Sequence, residues 1–80
     1  MATVGEIFEN VELGERVQVI VVGKEYFTGK LTSKNTWVVV FDGTTAWRMN
    51  KDANVKHFVV CKPVIGENGR EFRNIHLMQN

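Results

Sequence analysis

The side chains best suited to chemistry in this sequence are aromatic and basic residues on neighbouring predicted strands. Trp37 begins an apolar run that ends at Phe41, and Arg48 lies in the next run. If Asp42-Gly43 closes a two-residue hairpin loop, Trp37 and Arg48 are directly opposed and share one face of the sheet. An exposed ring beside cations can stack a base while the cations bind phosphate. We therefore predict a nucleic-acid site at Trp37 and Arg48, and we include Lys30 of the preceding predicted strand.

The strand that carries Trp37 is apolar on both faces, so its orientation has two interpretations. In the first, which leaves Trp37 outside, the core is formed by Val38, Val40, Trp47 and Met49. In the second, Arg48 extends past the edge of a core formed by Trp37, Val39, Phe41 and Ala46. The sequence leaves both interpretations open. One face of such a strand must be core, and the other is either covered by an N-terminal helix or a C-terminal hairpin of the chain or forms an interface.

Catalytic and metal-binding chemistry finds little support in the residue types. His57 and His76 are the only histidines, and no Ser, His and Asp stand in a recognisable catalytic motif. Cys61 is the only cysteine, so the chain has no internal disulfide and a zinc site would lack its usual thiolates. We predict a protein that is not an enzyme, with no metal and no cofactor.

Charge is distributed unevenly along the 80 residues, although the net charge is only +1. Residues 1–15 contain four glutamates and no basic residue, whereas residues 16–80 contain ten Lys and Arg against five acids. An acidic N-terminal segment therefore precedes a mildly basic body. No apolar run reaches the ~18 residues of a membrane span, and the first residues lack the pattern of a secretory signal. We expect no membrane association and a cytoplasmic location, which the lack of disulfides also favours.

A short helix and a run of strands should position these side chains in one domain, residues 1–80. Thr3 and Glu6 have the spacing of a capping box. An apolar stripe at helical spacing follows, made of Val4, Ile7, Phe8 and Val11. These features predict a helix at about 4–10.

From Arg16 the apolar period changes to two, and five short strands separated by tight turns follow to about residue 61. Asn68-Gly69 is a second hairpin signal and predicts a C-terminal β-hairpin at about 63–78. Short consecutive strands are typical of a meandering antiparallel sheet, and closing it hides its edges. The predicted fold is all-β, a small five- to six-stranded SH3-like or Sm-like barrel with a short N-terminal helix and a C-terminal hairpin.

Three patterns resemble the Sm-like barrels, and among them the Hfq family of bacterial RNA chaperones. The pattern Gly29-x-Leu31-x-x-x-Asn35 before an apolar strand is similar to the Sm signature Gly-x-Leu-x-x-x-Asp. Phe8-x-Asn10 followed by Glu15-Arg16-Val17 has the spacing that Hfq shows between its helix and first strand. Lys56-His57 resembles the Hfq Tyr-Lys-His motif. The resemblance implies RNA as ligand, adds Lys56, His57 and Arg16 to the site, and implies assembly through edge strands.

The sequence departs from the Hfq pattern at several positions. Val55 stands where the family has Tyr, and Leu13 and Gly14 stand where it has rim arginines, so that only Arg16 is left. A Tudor or SH3-like barrel fits Gly14 to Val17 and Trp37 to Thr44 about as well. These folds share the same small-barrel architecture.

Two functions follow from these patterns. We predict a small nucleic-acid-binding protein, RNA favoured over single-stranded DNA, that acts as an RNA-binding or regulatory accessory factor. The alternative is a protein-interaction module, an accessory protein of phage or bacterial type, that modulates a larger enzyme such as a polymerase or nuclease.

Overall fold

The computed structural model describes residues 2–79, apart from the side chains of Glu25 and Gln79. Met1 and Asn80, which the predicted domain includes, lie outside the described residues. One helix and eight strands follow one another along the chain. They are β1 Ala2–Thr3, α1 Val4–Ile7, β2 Arg16–Val21, β3 Glu25–Lys34, β4 Trp37–Phe41, β5 Ala46–Asn50, β6 Asn54–Val60, β7 Val64–Ile65 and β8 Glu71–Gln79. The predicted all-β class is confirmed.

The strands form one sheet in the order β1-β6-β8-β2-β3-β4-β5, and β7 pairs with β8. The sheet curls into a half-barrel. The predicted purely antiparallel meander is wrong, because β8 lies between β6 and β2 and runs parallel to β2. Its side chains Ile75 and Leu77 are fully buried. The second arm of the C-terminal hairpin is therefore a central strand of the sheet and supplies part of the core.

The core lies on the concave side of the half-barrel, beneath α1. The fully buried large side chains there are Phe8, Leu31, Ile75, Leu77, Val4, Val11, Val17, Val19, Val38, Val40 and Val55. Phe8 stacks near Trp47 of β5, with ring centroids 6.2 Å apart. All four residues of the predicted helical stripe are buried. The spacing therefore identified the apolar face of this segment correctly.

The helix α1 is shorter than predicted but has the predicted N-cap. The Glu6 amide donates to Thr3 Oγ1 at 3.3 Å, and the Thr3 amide donates to Glu6 Oε1 at 3.2 Å. The helix ends at Ile7, because the next amides bond three residues back: Glu9 N donates to the Glu6 carbonyl and Val11 N to the Phe8 carbonyl. Residues 8–10 are therefore turns, whereas we predicted helix to about residue 10.

Backbone hydrogen bonds tie α1 to the turn between β5 and β6. Val4 N donates to the Ala53 carbonyl at 3.0 Å, and Gly5 N donates to the Lys51 carbonyl at 2.8 Å. Lys34 Nζ donates to the Val11 carbonyl at 2.7 Å, just beyond the helix. The helix thus connects the two ends of the curled sheet, since β5 and β6 lie near opposite ends of the strand order.

The β4–β5 hairpin has a longer loop than predicted. Phe41 pairs with Ala46, so residues 42–45 form the loop where we predicted only Asp42-Gly43. Asp42 Oδ1 accepts hydrogen bonds from Thr44 N at 2.8 Å and Thr45 N at 2.7 Å. Gly43 has φ of +96°, as predicted for a turn glycine. The observed pairing of β4 with β5 is shifted by two residues from the predicted pairing. Because the shift is even, the residues predicted to share a face still share one.

The C-terminal hairpin is present, with β7 paired to the start of β8 through Val64–Phe72 and Ile65–Glu71. Its turn is fixed by a hydrogen bond from Gly66 N to the Arg70 carbonyl at 2.8 Å and one from Arg70 N to Asn68 Oδ1 at 3.0 Å. Within residues 2–79, no helix is long and apolar enough to cross a membrane.

Candidate nucleic-acid interface

On the convex side of strands β2 to β5, none of the described side chains that the strands contribute is acidic. Alternation and register place these side chains on it: Arg16, Gln18, Ile20, Tyr26, Thr28, Lys30, Thr32, Ser33, Trp37, Val39, Phe41, Ala46, Arg48 and Asn50. Three are cations and three are aromatic. We call Arg16, Tyr26, Lys30, Trp37, Phe41 and Arg48 the basic–aromatic face. The concave side of the same strands carries core residues such as Val38 and Val40.

Trp37 and Arg48 form a cation–π pair at one end of this face. The Arg48 guanidinium carbon lies 5.2 Å from the centre of the Trp37 ring. The predicted direct opposition is wrong, because Trp37 pairs with Asn50 and Arg48 pairs with Val39. Arg48 reaches the ring from the diagonal position, within range of a long side chain. Trp37 is 40% exposed while Trp47 is buried, so the structure settles which face of β4 belongs to the core.

A row of side chains runs across the strands at the other end of the face. Arg16 pairs with Lys30, Lys30 with Phe41, and Phe41 with Ala46. A cleft of about 300 Å³ lies along this row, lined by Arg16, Lys30, Phe41 and the β4–β5 loop at Asp42-Gly43. The Phe41 ring is 43% exposed, so a flat ligand has access to it. Two cations beside an exposed ring match the needs of a nucleotide, with its charged phosphate and planar base.

A second cleft, of about 540 Å³, opens where the β7–β8 hairpin meets the convex side of β2 and β3. Arg16 lines this cleft as well, together with Tyr26 from β3 and Arg70 and Phe72 from the hairpin. The two clefts therefore adjoin at Arg16. We call the two clefts together the groove.

The cations of the groove form no ion pair among the described residues, although Asp42 lines the smaller cleft and Glu67 lines the larger one. Among the described residues, the side chains of Arg16, Lys30 and Arg70 take part in no hydrogen bond or ion pair, while Arg73 Nε binds Glu15 Oε1 at 2.9 Å elsewhere. Hydrogen bonds from the Thr45 and Thr44 amides and the Thr44 hydroxyl lower the pKa of the Asp42 carboxyl. Asp42 therefore stays ionised at the rim of the smaller cleft, and its negative charge repels a phosphate placed next to it.

Lys56 and His57, which we predicted from the Hfq resemblance, are exposed on β6. In the sheet, β8, β2 and β3 separate β6 from β4. A register irregularity between Val55 and His57 marks their position. The structure thus groups Arg16 and Lys30, and Trp37 with Arg48, on β2 to β5, whereas Lys56 and His57 lie on β6, away from these strands in the sheet.

Tyr26, Phe41 and Arg70 are among the groove residues that the sequence analysis missed. Tyr26 and Phe41 had a signal, since alternation places Tyr26 beside Lys30 on one side of β3 and Phe41 beside Trp37 on one side of β4. Arg70 had none, because its place in the groove depends on the insertion of β8 between β6 and β2.

Within residues 2–79, no three side chains of His, Cys, Asp or Glu come together as metal ligands would. No protein-family model, curated protein or solved structure matches this chain. The Sm-like and SH3-like assignments therefore stay predictions, while the half-barrel architecture is a feature of the structure itself.

Proposed function

We propose that this protein binds single-stranded nucleic acid, RNA favoured over DNA, along the basic–aromatic face, and that it acts by binding and not by catalysis. The observation that carries the proposal is the combination of three aromatic and three basic side chains on the convex side of β2 to β5, where the described strand residues include no acid. Aromatic rings supply stacking that every base can accept, and the cations bind the phosphates between the bases. The preference for RNA rests on the Sm-like resemblance.

Trp37 is the stacking platform in this proposal. Arg48 lies over part of its ring system, and the pair contributes about 0.5–1 kcal/mol at an exposed site. A base that stacks on Trp37 brings its phosphate close to the Arg48 guanidinium. A role of this pair in folding alone is disfavoured, because both side chains are exposed while the core on the other side of β4 is complete without them.

Replacement of Trp37 by Leu tests the proposal. We expect the variant to remain folded and to lose about 1–3 kcal/mol of binding to a short single-stranded oligonucleotide, the usual contribution of one stacked base. Phe58→Leu is the matched control, because Phe58 is an aromatic residue of β6 with 41% exposure, close to the 40% of Trp37. Fluorescence anisotropy gives the affinity, and circular dichroism verifies folding. Equal affinities of the two variants would remove Trp37 from the site.

A protein partner is the second candidate function, and one observation favours it. Exposed apolar side chains also occur on β6 and β8, towards the other end of the strand order, namely Val59 and Met78. His57 pairs with Met78 and Val59 with His76, so Val59 and Met78 are diagonal neighbours on one face. An apolar patch of this kind is typical of an interaction surface. Val59→Ser would weaken protein binding and leave oligonucleotide affinity unchanged.

A further inference from the structure

The cleft beneath the β7–β8 hairpin has a shape and a lining that the proposed stacking function does not need. Its volume of about 540 Å³ falls in the range of small-molecule sites, ~300–1,000 Å³. Tyr26 stands on one strand wall and Phe72 on the hairpin wall. The Gln18 side-chain amide donates to the Tyr26 hydroxyl and to Thr28 Oγ1 at 3.4 Å, which helps to fix the Tyr26 side chain.

Contacts within the β7–β8 hairpin define the shape of this wall of the cleft. Gly69 adopts a φ of +76°, and the Arg70 amide donates to Asn68 Oδ1 at 3.0 Å across the turn. Gly66 packs against the Phe72 ring so closely that a Cβ there would lie 3.1 Å from Phe72 Cε1. The Phe72 ring is thus packed against Gly66, and the cleft is present in the free protein.

Glu67 is the acidic side chain of this cleft, and unlike Asp42 of the smaller cleft it is not held by hydrogen bonds from its own loop. It lines the cleft together with Arg16 and Arg70, and it takes part in no hydrogen bond or ion pair among the described residues. A carboxylate only accepts hydrogen bonds. It therefore favours a base with neighbouring N–H donors, and guanine presents two of them, N1–H and N2–H, on its Watson–Crick edge. Uracil offers a single N–H between two carbonyl oxygens, which a carboxylate repels.

We infer that this cleft is a nucleotide pocket selective for guanine, with the base between Tyr26 and Phe72, its Watson–Crick edge on Glu67 and its phosphate near Arg16. The inference rests on the proposed nucleic-acid function and names the base that one position of the strand takes. Because Arg16 lines both clefts, it binds the phosphate that joins this nucleotide to the next one, whose base lies at Phe41. The rest of the face stacks bases without selection.

The test is titration of the full chain with GMP, AMP, CMP and UMP, followed by NMR. We expect GMP to bind about tenfold or more tightly than UMP, as a bidentate contact to one base provides. Glu67→Gln should remove this preference, because an amide no longer offers two acceptors. Glu71→Gln is the matched control: Glu71 is an exposed acid of the same hairpin that does not line the cleft, and the preference should survive its loss.

Equal binding of the four nucleotides, or a GMP preference that survives Glu67→Gln, would overturn the inference. A parallel titration with oligo-U separates it from the proposed function. Binding of oligo-U that depends on Trp37, without a GMP preference, rejects the guanine pocket and retains the stacking face. A GMP preference that depends on Glu67, without binding of any oligonucleotide, supports the pocket and rejects the function proposed for the face.

Discussion

At the scale of single residues, Asp42 determines the geometry of the loop that ends β4. Its carboxylate accepts from two backbone amides and one hydroxyl of the loop, which the ionised form does best. A two-residue loop would have needed a positive φ at both Asp42 and Gly43, but among the described residues only glycines have positive φ. The sequence signal at Asp42-Gly43 therefore located the turn correctly but not its length.

Asp42 should make the stability of the protein depend on pH in the acid range. Its pKa is lowered in the folded state, so its contribution to stability is complete above the unfolded-state pKa and is lost as the pH falls through the lower folded-state pKa. Asp42→Asn should reduce stability at neutral pH, and the difference from wild type should shrink as acid is added. Urea denaturation at several pH values measures this.

The control for that experiment is Asp52→Asn, which removes an exposed acid whose carboxylate makes no hydrogen bond among the described residues. A stability difference between wild type and Asp42→Asn that stays constant from neutral to acid pH would contradict the role assigned to the carboxylate.

At the scale of elements, the first part of β3 pairs with β2 and its last part pairs with β4. Gly29 lies on β3 close to the place where the pairing changes from β2 to β4. It pairs with Val17 of β2 and lies close to the end of β4. A Cβ at Gly29 would lie 2.6 Å from the Phe41 carbonyl oxygen and 2.7 Å from the Phe41 carbonyl carbon. The backbone there leaves no room for a side chain.

Gly29→Ala should therefore destabilise the protein by about 1–3 kcal/mol, because a backbone segment has to move to admit the methyl group. Thermal unfolding followed by circular dichroism measures the loss. Lys30→Ala is the control at the adjacent exposed position of the same strand. If both variants unfolded at the wild-type temperature, the close approach of β3 and β4 would be wrong.

The elements also show what the sequence could predict. Local patterns were sufficient for the capping box at Thr3, the burial of the helical stripe, and the alternation of β2 to β5, because each depends on neighbours along the chain. The position of β8 depends on Ile75 and Leu77 completing a core between two strands that are distant in sequence. No local signal encodes this, so the larger cleft and Arg70 could not be predicted. Lys56 entered the predicted site from a resemblance and not from strand pairing, and the strand order separates it from Trp37.

At the scale of the whole molecule, the half-barrel leaves unpaired edges on β5 and on most of β6. β5 ends the strand order, and β6 pairs with β1 only at Asn54 and Val55. Unpaired edges are templates for pairing with another chain. We propose that copies of the protein associate by pairing β5 of one with β6 of the next, as the resemblance to Sm-like barrels implies.

Light scattering after size-exclusion chromatography, at high micromolar concentration, checks this proposal, and we expect a closed oligomer. Lys is a residue that disfavours edge pairing, so Val59→Lys on β6 should give a monomer. A wild-type protein that is monomeric at every concentration would contradict assembly and favour the Tudor-like or SH3-like interpretation.

The central claim, that the basic–aromatic face binds single-stranded nucleic acid, is tested most directly by the salt dependence of oligonucleotide binding. Contacts of Arg16, Lys30 and Arg48 with three phosphates predict a slope of about −2 in a plot of log affinity against log salt, since each phosphate on a single strand contributes about −0.7. Arg48→Gln should flatten the slope by about 0.7. Salt-dependent binding of oligo-U with these slopes would support the claim. The absence of salt-dependent binding to any RNA or single-stranded DNA at low salt would contradict it, and the protein-interaction function would then take its place.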